Sequence, residues 1–389
     1  MDIKVKQEVP ASLEPYIQQG SIVSFAPGRI NLLGEHTDYN NGFVMPASID
    51  KRMYFVLNPR TDNTIHLHSL DMNQEFSVEV ENLAKTNEKT WVNYILGVVD
   101  GFINKGYSVN GFDAVFTGNI PIGAGVSSSA ALECAVAVAV NKYTKAGLDN
   151  SELALVAQKA EHKYAGVKCG IMDQFASIFG KGDTLIKLDC RTLQYEYKPL
   201  KLEGASLLLF DSDVKHSLAS SEYNVRRQQC EEGVAMVKKY VPLVDSLRDI
   251  SLEMLDNYVY PNDKTVYNRC RYVVEENQRV QQVAAFLEAG NLKAVGQKMF
   301  ETHEGLRSLY EVSCEELDFL VTAVRDNEDV LGARLMGGGF GGCTINLVKN
   351  EAVNDVISKV SESYYKQYKK ELKVYPVSIG DGATVIKNG

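Results

Sequence analysis

The sequence predicts a protein of the α+β class with two domains, and two observations support this prediction. With 389 residues, the chain is long enough for two to three domains of roughly 150 residues each. Strand-like and helix-like patterns also occur together in both halves of the chain, without an internal repeat or a long linker. We therefore expect a mixed unit over residues 1–200 and a second α+β unit over residues 201–389.

The first half is predicted to mix strands with helices. The runs with high β propensity are residues 53–58, 64–69, 111–118 and 184–189. A helix is predicted over residues 151–164, because apolar residues recur there along one helix face. Asp149 can cap the start of this helix, and Gly166 can end it.

The second half is predicted to be rich in helix and to contain strands at both ends. Residues 207–211 form a strand-like run, and helical patterns extend from about residue 220 to about residue 327. A strand-like run, a helix and a strand-like tail follow at residues 343–348, 351–369 and 374–379. Strands on both sides of a helical stretch indicate an α+β unit of its own.

Charge and composition exclude several classes of protein. The formal net charge is −9, so no basic field is available to bind nucleic acid or an anionic membrane surface. The most apolar stretch, residues 130–140, is far shorter than the ~20 residues that span a bilayer. Residues 1–10 lack the apolar core of a secretory signal. The seven cysteines are scattered and form no Cys-x-x-Cys pair, so we expect a reducing compartment, the cytoplasm.

The first cluster of reactive side chains lies in residues 26–39, Ala-Pro-Gly-Arg-Ile-Asn-Leu-Leu-Gly-Glu-His-Thr-Asp-Tyr. Its ionisable groups are Arg29, Glu35, His36 and Asp38. Donors and acceptors in such number suit a polyhydroxylated ligand, because each sugar hydroxyl both donates and accepts hydrogen bonds. The spacing is not that of a zinc site. A solvated turn with incidental ion pairs is the alternative, and composition alone leaves both interpretations open.

A second cluster, residues 121–130, reads Pro-Ile-Gly-Ala-Gly-Val-Ser-Ser-Ser-Ala and lies between a strand-like run and an apolar helix. Gly123 and Gly125 allow backbone N–H groups to approach a ligand closely, and a helix N-terminus attracts anions. The serines add hydroxyls for phosphate oxygens or Mg²⁺. We interpret the segment as a phosphate-binding loop, with a serine-capped turn as the alternative. It is not a P-loop, because Gly-x-x-x-x-Gly-Lys-[Ser/Thr] does not occur in the sequence.

A third cluster, residues 336–343, reads Met-Gly-Gly-Gly-Phe-Gly-Gly-Cys and formally contains Gly-x-Gly-x-x-Gly. A dinucleotide-binding interpretation fails, because a β-prone run and not a helix follows the glycines. Glycines at this density predict positive φ angles or a backbone pressed against a neighbouring loop. A plain structural hairpin is the alternative.

Two further carboxylates lie between the second and third clusters. Asp173, in Cys-Gly-Ile-Met-Asp-Gln-Phe at residues 169–175, stands where a short helix would begin, a position that favours an ionised carboxylate. Glu161 lies beside the apolar stripe of the helix predicted over residues 151–164. Taken alone, the first is typical of a helix cap and the second of a solvated helix face.

Together, the clusters resemble the galactokinase branch of the GHMP kinase family, which groups galactokinase, homoserine kinase, mevalonate kinase and phosphomevalonate kinase. The first cluster is similar to the galactokinase signature, the second to the family's ATP loop and the third to the motif beside that loop. The resemblance covers nearly the whole chain. It implies an N-terminal domain like ribosomal protein S5 domain 2 and a ferredoxin-like C-terminal domain, with the active site between them.

The resemblance also implies an activity, which is transfer of the γ-phosphoryl group of ATP to the C1 hydroxyl of galactose, with Mg²⁺ as cofactor. Asp173 is implied to be the catalytic base, with Arg29 as its partner. The residues implied to bind the sugar are Glu35, His36, Thr37, Asp38, Gly170 and Tyr223. Those implied to bind ATP are Gly123, Ala124, Gly125, Val126, Ser127, Ser128 and Ser129, with Ser69 as a looser match. Ser129 and Glu161 are implied to hold Mg²⁺.

Alternatives to this function stay open. A kinase for N-acetylgalactosamine would carry a similar signature, and a non-catalytic sugar sensor is a rival from another class. The sensors lack a Ser-Ala pair in the serine-rich loop, whereas residues 127–131 are intact here, which favours turnover. A structural scaffold would leave the Glu-His-x-Asp cluster unexplained. We expect galactose and ATP as ligands, neither nucleic acid nor membrane as partner, and a monomer or weak dimer.

The chain departs from the family pattern at one position of the third cluster. The family usually has Met-Thr before the glycines, whereas this chain has Leu335 and Met336. A hydroxyl is therefore missing beside the sugar or the phosphates, and we expect a polar contact there to be weakened.

Overall fold

The computed structural model describes residues 9–121, 123–214 and 219–388. Its largest sheet is built from β1 (Ile22–Asn31), β3 (Pro46–Pro59), β4 (Thr64–Ser69), β5 (Gln74–Glu79), β6 (Phe112–Gly118) and β13 (Thr384–Asn388). The strand order is β13-β1-β3-β6-β4-β5, and only the neighbours β4 and β6 are parallel. The last strand of the chain thus completes a sheet whose other strands come from the first half.

Four helices of the first half cover this sheet in two layers. They are α1 (Thr90–Asn104), α2 (Ser128–Thr144), α3 (Asn150–Ala160) and α4 (Met172–Phe179). Helices α2 and α4 contact β1 and β3, while α1 and α3 pack on the outside of α2. Because α2 is enclosed in this way, small apolar residues fill nearly all of its surface. The serine-rich segment before α2 is thereby fixed at one edge of the core.

The second half forms a separate antiparallel sheet with order β10-β11-β9-β12. Its strands are β9 (Ala205–Asp211), β10 (Val330–Leu335), β11 (Cys343–Lys349) and β12 (Lys373–Val377). The helices of this half are α5 (Ala219–Lys238), α6 (Leu252–Tyr258), α7 (Lys264–Glu288), α8 (Leu292–Ser308), α9 (Glu315–Arg325) and α10 (Val353–Tyr368). A small sheet of β2 (Phe43–Val44), β7 (Thr184–Asp189) and β8 (Tyr195–Pro199) lies beside α7.

Most of the predicted elements are confirmed. The helix predicted over residues 151–164 begins at Asn150 and continues past Ala160 as a π-helical segment, Glu161–Ala165. A capping box of Asp149 and Glu152 starts it, and Gly166 ends it with a φ of 78°. The hairpin given as the alternative for the third cluster is present, since β10 and β11 pair on either side of the glycines.

Other elements are not those that the sequence pattern indicated. The prediction of helix up to about residue 327 was too coarse, because that stretch is divided among α5 to α9. The helices and strands that were not predicted are α1, β1, β2, β5, β8, β10 and β13. Every residue of β1 is buried, so the strand lacks the alternation of polar and apolar residues that identifies a half-exposed strand. Within the described residues, no helix combines the length and the apolar character needed to span a membrane.

Candidate active site

Seven of the predicted site residues line a cavity of about 130 Å³ between the two halves of the chain. The signature loop (residues 32–42), the glycine loop (residues 336–342) and the start of α4 contribute most of its lining. The lining residues are Arg29, Glu35, His36, Asp38, Glu161, Val167, Cys169, Met172, Asp173, Tyr223, Gly337 and Gly338. A larger cavity of about 830 Å³ has no acidic side chain among its lining residues, so we place the chemistry in the smaller one.

Asp173, in the first turn of α4, is held by two side chains from other segments. Arg29 donates its Nε–H to Asp173 Oδ1 at 2.9 Å, and Ser127 donates its hydroxyl to Asp173 Oδ2 at 2.6 Å. Arg29 also donates from Nη1 to the carbonyl of Gly125 at 2.5 Å. The guanidinium group therefore ties the carboxylate to the serine loop (residues 123–127).

The serine loop has a backbone that suits this contact. Ser127 occupies the N-cap of α2 with a φ of 61°, a left-handed conformation that is uncommon for a residue other than glycine. Its hydroxyl makes no capping bond and reaches Asp173 instead. A local strain of this kind persists where the surrounding structure fixes it, and it is frequent at functional sites.

The glycine loop lies against the serine loop, as the density of glycines predicted. A Cβ atom on Gly337 would be 3.3 Å from the carbonyl oxygen of Gly125, and one on Gly125 would be 3.2 Å from that of Met336. Both glycines also have positive φ angles, of 86° and 73°. The side chain of Met336, at the position where the family pattern has Thr, is buried in the apolar core of the first half.

Glu35 connects the signature loop to the glycine loop. Its Oε2 accepts hydrogen bonds from Asn31 Nδ2 at 2.5 Å and pairs with Arg334 at 2.8 Å, and its Oε1 accepts from the backbone N–H of Gly337 at 3.0 Å. Arg334 also donates to the carbonyl of Leu32 at 2.7 Å. Burial raises the pKa of Glu35, and the charge of Arg334 opposes that shift.

Sequence reasoning missed Arg334. The signal was an arginine inside the otherwise apolar run of residues 330–335, since an arginine is rarely fully buried unless it is paired.

Asp38 lies against Gly170 on the other side of the cavity. A Cβ atom on residue 170 would be only 2.0 Å from Asp38 Oδ2, so the close approach requires glycine there. Burial, together with the neighbouring charge of Asp173, raises the pKa of Asp38 to about 7. The structure thus brings together two of the residues implied to bind the sugar.

His36 and Tyr223 form an aromatic wall of the cavity. Their ring centroids are 5.3 Å apart, and Tyr223 comes from α5 in the second half of the chain. Burial and the charge of Arg226 lower the pKa of His36 to about 3, so the imidazole is neutral near pH 7. An aromatic surface beside polar groups is suited to hold one face of a sugar ring.

Ser129 and Glu161 also lie together. Ser129 donates its hydroxyl to Glu161 Oε1 at 3.4 Å, and Gln174 Nε2 donates to Glu161 Oε2 at 2.7 Å and to Glu133 Oε2 at 3.1 Å. Burial and the charge of Asp173 raise the pKa of Glu161 to about 7. In the described part of the chain, no group of three or more His, Cys, Asp and Glu side chains is arranged to hold a metal ion. Glu133 and Gln174 were not predicted from the sequence.

Other predicted residues are not among those that line the cavity. Thr37 is buried, and its hydroxyl lies 2.8 Å from the carbonyl of Gly34 and 2.7 Å from that of Phe43, within the signature loop. Ser69 is buried at the end of β4, where it accepts a hydrogen bond from the N–H of Met72 at 3.4 Å. The ATP contacts implied for Ser69 and for residues 123–129 stay predictions.

Family profiles match three parts of the chain. Residues 93–181 match the N-terminal domain of GHMP kinases, residues 283–366 match the GHMP kinase C-terminal domain, and residues 14–59 match the galactokinase galactose-binding signature. The first two profiles fall on the two halves that meet at the cavity. The fold and the site therefore define a kinase of the GHMP class.

Curated relatives place the chain more narrowly. It is 44% identical to the galactokinase of Thermotoga maritima over 361 residues, which cover 93% of this chain and 99% of the relative. It is 40% identical to the galactokinase of Bacillus subtilis over 374 residues, covering 95% and 96% of the two chains. The chain belongs to the galactokinase family.

Solved structures agree with this placement. The crystal structure of Lactococcus lactis galactokinase complexed with galactose matches with a TM-score of 0.89 and 34% identity, covering 94% of this chain and 95% of that one. The mevalonate kinase of Methanococcus jannaschii matches with a TM-score of 0.66 at 18% identity, covering 94% and 100%. The second likeness is one of fold alone.

Proposed function

We propose that this protein is a galactokinase that transfers the γ-phosphoryl group of ATP to the C1 hydroxyl of D-galactose, giving galactose 1-phosphate and ADP. The observation that carries the proposal is the position of Asp173. Its carboxylate faces the cavity lined by the signature loop, and Arg29 and Ser127 join it to the serine loop. A carboxylate between a sugar site and a phosphate loop is placed to act on a hydroxyl that attacks phosphorus.

In this mechanism Asp173 accepts or orients the proton of the C1 hydroxyl as the new O–P bond forms. The hydrogen bonds from Arg29 and Ser127 fix the orientation of the carboxylate. Asp38, His36 and Glu35 would hold the other hydroxyls of the sugar. Phosphoryl transfer depends mainly on positioning and on neutralising charge, so a small number of fixed groups is sufficient.

Arg29 has a second task in the proposal. It is buried, always charged, and bonded both to Asp173 and to the carbonyl of Gly125 in the serine loop. A guanidinium group in that position would neutralise charge on the phosphoryl group as it moves between the two loops. Residues 123–129 would bind the phosphates of ATP through backbone N–H groups and the N-terminus of α2.

Mg²⁺ fits the pair formed by Ser129 and Glu161. Both offer hard oxygen atoms, and Glu161 is buried near Asp173, so a cation would stabilise its ionised form. Mg²⁺ often binds through one or two protein oxygens together with substrate phosphates, which suits a site with few protein ligands. We propose that Ser129 and Glu161 hold the ion, which when bound would neutralise charge on the phosphates.

The remaining assignments of this proposal concern the whole molecule. We place the protein in the cytoplasm, because all seven of its cysteines are free. We assign residues 1–200 and 201–389 to two units, with β13 adding to the sheet of the first. We propose a monomer or weak dimer that binds neither nucleic acid nor membrane.

The test is a coupled assay of ADP release with galactose, with N-acetylgalactosamine and without sugar. We expect ADP with galactose, little without sugar, and an anomeric phosphate in the ³¹P NMR spectrum of the product. Faster turnover of N-acetylgalactosamine than of galactose would mean that N-acetylgalactosamine is the preferred substrate. Tight binding of galactose and ATP without ADP release would identify a sensor instead.

A further inference from the structure

A chain of polar contacts runs from the cavity into the second half of the protein. His36 Nδ1 lies 2.7 Å from the hydroxyl of Tyr39, and that hydroxyl lies 2.8 Å from the hydroxyl of Tyr310. The Tyr310 hydroxyl is 3.3 Å from Cys230 Sγ on α5. We call this hydrogen-bonded chain of His36, Tyr39, Tyr310 and Cys230 the tyrosine relay. His36, Tyr310 and Cys230 are buried, so water does not compete for these bonds.

The other ring nitrogen of His36, Nε2, has no hydrogen-bond partner of good geometry among the residues that the structure describes, although the backbone of Gly338 lies near enough to the ring to oppose the lowering of the His36 pKa. Nε2 is buried, and His36 is one of the residues that line the cavity. An unpartnered polar atom in such a place costs free energy unless a ligand satisfies it. The tautomer of His36 decides which kind of hydrogen bond Nε2 can make. Nε2 is a donor when it carries the proton and an acceptor when Nδ1 carries it.

The composition of the relay favours one direction of its hydrogen bonds. If the protons point towards His36, the thiol donates to Tyr310, Tyr310 donates to Tyr39, and Tyr39 donates to Nδ1. The bond to sulfur is weak in both directions, because a thiol is a weak donor as well as a weak acceptor, so the imidazole end decides between them. The first direction ends on an imidazole nitrogen, a strong acceptor for a phenol, and leaves the ring proton on Nε2.

The relay is also held rigidly at its centre. Arg226 donates from Nε to the carbonyl of Tyr310 at 2.8 Å and from Nη2 to the carbonyl of Glu311 at 2.8 Å. The rings of His36 and Tyr310 lie 4.7 Å apart, centroid to centroid, so the imidazole has little freedom to flip. The geometry therefore fixes both the position and the orientation of the ring.

We propose that Tyr39 and Tyr310 are positioning residues that hold His36 as the neutral Nε2–H tautomer, so that it donates a hydrogen bond to a sugar oxygen. This inference rests on the proposed function, because it assumes that a sugar occupies the cavity. Neither tyrosine touches the reacting atoms. Their effect on the reaction passes through the proton on His36.

The first test needs no activity and is therefore independent of the proposed function. In protein labelled with ¹⁵N-histidine, long-range ¹H–¹⁵N spectra distinguish the two tautomers, and the signals of His36 are those missing from His36→Asn. There are only six histidines in the chain, which keeps the spectrum simple. We expect the Nε2–H pattern in the unliganded protein. We also expect both ¹⁵N shifts of His36 to move in Tyr39→Phe. An Nδ1–H pattern, or unchanged shifts in that variant, would overturn the inference.

The second test measures steady-state kinetics of Tyr39→Phe and Tyr310→Phe. We expect KM for galactose to rise about threefold to tenfold, the effect of about one neutral hydrogen bond, with kcat and KM for ATP changed less than twofold. Tyr364→Phe is the matched control, because its buried hydroxyl donates to the carbonyl of Ser212 at 2.7 Å, outside the relay. It should leave KM for galactose unchanged. Equal changes in all three variants would mean that the relay is only structural, and an inactive wild type would refute the proposed function while leaving the NMR test intact.

Discussion

Two ion pairs of an arginine and a carboxylate lie at the cavity, and they differ in how far they are exposed. In the pair of Arg334 and Glu35 the side chains are 0% and 1% exposed, whereas in the pair of Arg29 and Asp173 they are 5% and 27% exposed. Both carboxylates are engaged through each of their oxygens. The difference is that Asp173 keeps far more of its surface accessible to a ligand than Glu35 does.

The difference shows how one cavity can contain both a structural ion pair and an ion pair that contacts the ligand. The buried pair joins the signature loop to β10 and the glycine loop, which belong to opposite halves of the chain. The pair of Arg29 and Asp173 lines the same cavity and is bonded to the serine loop. We therefore expect loss of the pair of Arg334 and Glu35 to lower stability, and loss of the pair of Arg29 and Asp173 to lower the rate.

The largest effect is expected for Arg334→Met. The substitution leaves the carboxylate of Glu35 buried without its cation, and breaking a buried ion pair from one side costs about 3–5 kcal/mol. Urea unfolding followed by circular dichroism measures the change in the free energy of unfolding. The double variant Glu35→Gln, Arg334→Met should recover much of the loss, since it removes the unpaired charge. A loss below about 1 kcal/mol in the single variant would mean that the pair does not join the two halves.

The next effect is expected for Asp173→Asn, which keeps the shape of the side chain. If Asp173 handles the proton of the sugar hydroxyl, kcat should fall about 100-fold or more, while the affinity for galactose stays nearly the same. Coupled ADP release gives kcat, and calorimetry gives the affinity. Because Asp173 is accessible, stability should change much less than in Arg334→Met. Unchanged turnover would remove this mechanism.

A smaller effect is expected for Arg29→Ala. Loss of a charged donor to Asp173 and to the moving phosphoryl group should lower kcat by about 10- to 100-fold and raise KM for galactose less. Steady-state kinetics at saturating ATP separate the two parameters. A change in KM alone would mean that Arg29 acts in binding and not in the transfer step. Arg29 would then serve, like Arg334, to hold the site and not to raise the rate.

The sequence was sufficient to predict three of the four residues in these two ion pairs. Arg29, Glu35, Asp38 and Asp173 stand in short motifs that resemble those of the GHMP kinases, and all four residues line one cavity. Elements with periodic patterns or clear caps, such as α3 with its capping box, were also predictable.

What could not be predicted depends on contacts between distant parts of the chain. Arg334 pairs with a residue about three hundred positions earlier, and Tyr310 contacts Tyr39 across the two halves. No local pattern encodes such pairs. The strand β1 was missed because all of its residues are buried, which removes the alternation of polar and apolar residues that marks a half-exposed strand.

The smallest effect is a pH dependence of sugar binding that involves Asp38. Burial and the charge of Asp173 raise the pKa of Asp38 to about 7, so its carboxyl group is mostly protonated at pH 6 and mostly ionised at pH 8. An ionised carboxylate accepts hydrogen bonds from hydroxyls more strongly than its neutral form. We expect the affinity for galactose to rise up to about tenfold between pH 6 and pH 8, when calorimetry is done without ATP and Mg²⁺.

The control for this prediction is Asp38→Asn, which cannot titrate. Its affinity for galactose should be lower and should vary less over the same range, because the other cavity carboxylate with a pKa of about 7, Glu161, is not among the residues that would hold the sugar. A wild type whose affinity does not change with pH would mean that Asp38 is already ionised at pH 6. Burial would then raise the pKa of Asp38 less than the charge of Arg29 lowers it.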